Sequence, residues 1–94
     1  MQNVHLKERL RCGETVIGTF SGIPSPSLVE AIGYSGLDFI VIDSEHGPLE
    51  MQTAENIVRA AEITGMVPII RVSGNESHLI LRALDIGAHG VQVP

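Results

Sequence analysis

Four short apolar runs constrain this chain more than anything else in it: Thr15 to Phe20, Leu37 to Ile42, Val67 to Ile70 and Gly90 to Val93. Each is rich in β-branched residues and apolar at successive positions, the pattern of a strand covered on both faces. The stretches between them have helical spacing. Val4 to Arg11 forms a leading helix with Leu6 and Leu10 on one side. Ser25 or Ser27 caps a helix striped by Leu28, Ala31 and Ile32, which Gly33 or Gly36 ends. Pro48 suits the first turn of a helix striped by Ala54, Ile57, Val58 and Ala61 and stopped by Gly65. Asn75 then caps a helix with Leu79, Ile80, Ala83 and Leu84 inward, and Gly87 and Gly90 lead into the last run.

The order β-α-β-α-β-α-β, with strands recurring roughly every 20 to 30 residues, specifies βα units on a parallel sheet. Four such units make half of a (β/α)8 barrel, a fold of about 250 residues. Residues 1–94 are therefore read as the N-terminal half of a single TIM-barrel domain, with a self-contained four-stranded α/β domain as the alternative. The half barrel would leave both sheet edges open.

Composition excludes several classes of partner. The formal charge is −5 with only six lysines and arginines, so no basic footprint exists for nucleic acid. At 3% aromatic residues the chain also lacks base-stacking platforms. No apolar segment approaches the roughly 20 residues needed to span a bilayer, and the polar start lacks a signal peptide's apolar core. Cys12 is the single cysteine, so no intrachain disulfide forms. These features describe a cytoplasmic protein that binds neither nucleic acid nor membrane.

The chemistry is concentrated after the second strand, in Asp43-Ser44-Glu45-His46-Gly47-Pro48. Polar groups just past the C-terminal end of a buried strand are where α/β proteins keep their active sites. His46 suits proton transfer near neutral pH, and a carboxylate from Asp43 or Glu45 would fix its tautomer. The bland reading is a capping cluster, with Asp43 and Ser44 satisfying loop N–H groups. Arg71 ends an otherwise apolar strand, where a guanidinium needs an anion. That anion is a substrate oxygen, or an internal partner among Asp43, Glu45 and Asp85. Asp85 sits late in a helix, where the dipole disfavours negative charge, so it wants a partner such as His46 or Arg71. His5, His78 and His89 are read as surface residues. Lys7, the one lysine, precedes the first strand, which leaves this stretch no lysine for a Schiff base. There is no His-Glu-x-x-His and no cysteine pair, so no closed metal site is expected within these residues.

Val16-Ile17-Gly18-Thr19-Phe20, Gly36 through Pro48, Pro68-Ile69-Ile70-Arg71-Val72 and Leu84 through Pro94 together resemble the HpcH/HpaI aldolases of the phosphoenolpyruvate/pyruvate barrel superfamily. These include the 4-hydroxy-2-oxoheptanedioate and 2-dehydro-3-deoxyglucarate aldolases. The resemblance implies a class II, metal-dependent pyruvate aldolase on a TIM barrel, cleaving a 4-hydroxy-2-oxo acid to pyruvate and an aldehyde. It gives proton transfer to His46, binding of the pyruvyl oxygens to Arg71 and pairing with the histidine to Asp85. Asp43 supports that network, and Glu45 is a further support. The resemblance also implies a divalent ion (Mg²⁺, Mn²⁺ or Co²⁺) whose glutamate and aspartate ligands lie beyond Pro94, and a homo-oligomer, a hexamer in the family. The 94 residues alone are then expected to be inactive. Two other readings stand beside this one: a non-catalytic half barrel that self-associates through its open edges, and a citrate-lyase-β-like relative acting on an acyl thioester.

Overall fold

A computed structural model describes residues 6–43 and 51–94. Its elements follow in the order α1 (Leu6–Arg11), β1 (Gly18–Ser21), α2 (Pro26–Tyr34), β2 (Phe39–Asp43), α3 (Met51–Ile63), β3 (Val67–Arg71), α4 (Ser77–Asp85) and β4 (Gly90–Gln92). The strands form one parallel sheet in the order β1-β2-β3-β4. That order decides the architecture. Each strand is added beside the previous one without reversal, so crossovers of a single hand put every helix on the same face.

The core shows that placement. Val29 from α2, Ile57, Val58 and Ala61 from α3, and Ala83 from α4 pack with Ile40, Ile42, Ile70 and Val72 of the sheet. Alternate residues point the other way, so Phe39, Val41, Asp43, Ile69, Arg71 and Gln92 share the face that carries no helix. A four-stranded sheet with helices outside and a bare inner face is the sector of a barrel. The helices come close because Gly33 of α2 lies against Thr64, where a Cβ would overlap the threonine side chain.

The elements agree with the sequence reading in kind and order and differ at their ends. Val4 and His5 lie outside the described residues. β1 begins at Gly18 rather than Thr15, because its ladder with β2 starts where Gly18 meets Phe39. β2 starts two residues later than expected, since Asp38 turns its side chain to other work, and it runs on to Asp43. β3 includes Arg71, and β4 stops at Gln92. Pro68 is tolerated inside β3 because its backbone faces β4 below the point where that strand begins. Its carbonyl accepts the His89 N–H at 2.9 Å, and the N–H it lacks would have met no strand partner.

Ser25 is the cap of α2, its hydroxyl accepting the Leu28 N–H at 3.2 Å, and Pro26 opens the helix. The Asn75 cap does not form. α4 instead starts after Glu76, whose carbonyl takes the Leu79 and Ile80 N–H groups and whose side chain makes no cap bond. Gly65 and Gly87 close α3 and α4 at φ of +83° and +103°, a conformation that only glycine takes cheaply.

Candidate active site

Side chains of consequence gather at the two ends of the sheet, and the ends differ in kind. At the C-terminal edge, Asp43, Arg71 and Gln92 are register neighbours on β2, β3 and β4, forming one row across the sheet. All three sit on the bare inner face. Arg71 Nη1 lies 3.7 Å from Asp43 Oδ2, with both side chains mostly covered. Beneath them on the same face are the apolar Val41 and Ile69, and Phe20 stands more than half exposed at the end of β1. A guanidinium and a carboxylate rimming an apolar floor make a place where a small oxyacid can be held by charge and oriented by shape.

The sequence reading left Asp43, Glu45 and Asp85 open as internal partners of Arg71, and the structure brings Asp43 to it. His46 and Glu45 lie outside the described residues, as do Ser44, Gly47 and Pro48. Asp85 is elsewhere. It is the last residue of α4, which runs back from the Arg71 end of the sheet, so it sits at the N-terminal edge and is exposed. The nine residues of α4 span about 13 Å. Within one copy of the chain the expected pairing of Asp85 with Arg71 therefore does not form.

The ion pairs at the N-terminal edge have no counterpart in the sequence reading, and the one between Arg9 and Asp38 joins residues 29 positions apart. Arg9 Nη1 meets Asp38 Oδ1 at 2.6 Å, and Arg9 Nε meets Glu14 at 3.1 Å. Asp38 also accepts the Ile17 N–H through Oδ2 at 2.9 Å, donates its own N–H to Ile17 and accepts from Val67 N. One residue thus ties α1 and the starts of β1, β2 and β3. His89, read as a plain surface residue, bonds Glu62 at 2.8 Å between the start of β4 and the end of α3.

The hydrogen bond from Arg9, reinforced by that from Ile17, holds the Asp38 carboxyl below its ordinary value of 3.8. A carboxyl that is more acidic folded than unfolded contributes stability above the unfolded pKa and loses it as pH falls through the folded one. Urea unfolding of Asp38→Asn is accordingly expected to show a deficit at neutral pH that closes below pH 3.8. A deficit constant from pH 7 to pH 2 would remove the ion pair from the account.

Among the described residues no group of three histidine, cysteine, aspartate or glutamate side chains converges as a metal site. Asp43 is the single carboxylate in the edge row, and Arg71 stands against it. These residues do not by themselves fit a divalent ion. Nor is any helix among them long and apolar enough to cross a membrane.

The family model described as HpcH/HpaI aldolase/citrate lyase matches residues 16–94, which takes in every strand and the whole edge row. The chain belongs to this family. Among curated HpcH/HpaI relatives, the 2-dehydro-3,6-dideoxy-6-sulfogluconate aldolase of Pseudomonas putida is 42% identical over 78 residues, covering 83% of this chain and 31% of that protein. The citrate synthase SbnG superposes with a TM-score of 0.88 at 44% identity, over 95% of this chain and 36% of that one. An HpcH/HpaI aldolase from Desulfitobacterium hafniense gives 0.85 at 30% identity, over 95% and 35%. The chain thus spans about a third of the length of the relatives it matches. The shared architecture is of the TIM-barrel type, as the sheet order and bare inner face require.

Proposed function

We propose that these residues carry the N-terminal half of the barrel of a cytoplasmic, class II pyruvate aldolase that cleaves a 4-hydroxy-2-oxo acid to pyruvate and an aldehyde. The observation that carries the reading is the Asp43–Arg71 pair at the C-terminal sheet edge of an HpcH/HpaI chain. Arg71 binds the pyruvyl oxygens through its planar fork. His46, three residues past Asp43, takes the proton of the C4 hydroxyl, directly or through a water. The C4 oxygen then forms the aldehyde carbonyl as the C3–C4 bond breaks, and the electron pair of that bond passes to the enolate of pyruvate, whose charge Arg71 offsets. Protonation at C3 completes pyruvate. Asp43 holds Arg71 in place, and Glu45 is a further support of this network. Asp85 can orient His46 only from a second copy, so a homo-oligomer belongs to this proposal.

A divalent ion (Mg²⁺, Mn²⁺ or Co²⁺) would polarise the 2-oxo acid, with ligands from beyond Pro94. The test is pyruvate release by the complete enzyme from a 4-hydroxy-2-oxo acid, before and after chelation. Activity that EDTA reduces at least 100-fold and added Mn²⁺ restores is the expected result, and activity indifferent to both would sink metal dependence. The 44% identity to a citrate synthase favours a second reading, condensation or cleavage of citrate. Turnover of citrate without turnover of any hydroxy-oxo acid would select it.

A further inference from the structure

The edge row has a third member that the proposed reaction leaves unused. Gln92 is the register partner of Arg71 on the side away from Asp43. Its carbonyl accepts the Val72 N–H at 3.0 Å, which fixes the register at this level. Val91 packs toward the helix-side core, so Gln92 belongs to the inner face with Arg71. Two residues earlier on that face stands Gly90, where an added Cβ would meet only Ile69 at 3.8 Å. The position below the amide therefore holds no side chain, beside Ile69 and Arg71 of β3.

We infer that Gln92 is a substrate-binding residue: its amide N–H donates to a carboxylate oxygen of the 2-oxo acid that the Arg71 guanidinium also binds. This rests on the proposed function, since the oxyacid is the substrate class named there. The chemistry explains the residue type. Asp43 already balances Arg71 on one flank, and a second carboxylate on the other would repel the incoming acid. An aliphatic side chain would offer the acid's second oxygen no donor. A neutral amide adds a hydrogen bond without charge and gives the planar acid a second point of attachment, which sets its rotation about the guanidinium axis.

Because Gln92 grips the acid rather than the aldehyde, its effect is the same whichever aldehyde is used. The experiment compares the complete wild-type enzyme with Gln92→Met, which keeps length and shape, and Gln92→Glu, which keeps shape and adds charge. Pyruvate binding is measured by calorimetry with Mn²⁺ present, and KM for pyruvate in the aldol direction with two aldehydes differing in hydroxylation. The expected result is pyruvate affinity about 10-fold weaker in Gln92→Met and about 100-fold weaker in Gln92→Glu, equally for both aldehydes, with unchanged melting temperatures. Wild-type affinity in both variants, or a loss confined to one aldehyde, would overturn the inference while leaving the aldolase reading intact. Graded loss of pyruvate binding across the two variants, where the wild-type enzyme itself catalyses no aldol cleavage, would do the reverse.

Discussion

Replacing Arg71 by methionine in the complete enzyme is expected to lower kcat/KM for aldol cleavage about 1,000-fold, with little change in melting temperature. The guanidinium can make two charge-assisted hydrogen bonds to the pyruvyl oxygens, each contributing roughly 1.5–3 kcal/mol. At about 1.4 kcal/mol per factor of ten, two such bonds account for the loss. Stability changes little because the Arg71–Asp43 pair, 3.7 Å apart at the sheet's rim, is not closely matched and part of it reaches solvent. Arg71→Lys is the informative companion. It keeps the charge but not the fork, so it recovers about tenfold of the lost rate and no more. Steady-state kinetics on the two variants, with thermal melts alongside, check both parts. A methionine variant within tenfold of wild type would remove Arg71 from the site.

Ile57→Ala is expected to destabilise the protein by about 3–4 kcal/mol. Ile57 is fully buried in the middle of α3, against Ile40, Ile70 and their neighbours. The parallel strands on one side and the helix backbone on the other prevent the cavity from collapsing. Ile63, on the last turn of the same helix, is 68% exposed and serves as the control. Its truncation should cost no more than about 0.5 kcal/mol. Urea denaturation read at two wavelengths measures both, and a lowered midpoint at unchanged slope is the signature of a purely energetic loss. Equal effects at the two sites would mean that α3 is not packed as described.

Much of the fold was legible because burial on both faces leaves an unmistakable mark. Ile40-Val41-Ile42 and Val67-Pro68-Ile69-Ile70 have no polar residue to offer solvent, and a run that short has no way to be covered except as an inner strand. The strand ends were less legible, since a ladder stops where its partner stops. Thr15 and Val16 have strand-like side chains, yet β2 provides no partner for them. The α4 cap was misplaced for a similar reason. Asn75 is the better capping residue, but the chain leaving β3 turns into the helix only after Glu76.

For the site, the short Asp43-to-Pro48 motif and the lone cation of Arg71 announced themselves as anomalies beside apolar strands. Asp85 did not reveal its location, although a helix that returns from the end of β3 must finish at the opposite edge. Gln92 passed unremarked because a single amide in a strand has no pattern of its own.

Local sequence determined which segments are strands, which are helices, and that an acid, a histidine and an arginine follow or end the strands. Those depend on side-chain burial and backbone preference, which act over a few residues. Tertiary structure alone decided that Arg71 stands between Asp43 and Gln92, that Asp85 faces away, and that Asp38 joins Arg9 across 29 positions. Such meetings depend on sheet register and the direction of each returning helix, and register is set by hydrogen bonds between strands that no local stretch of sequence contains.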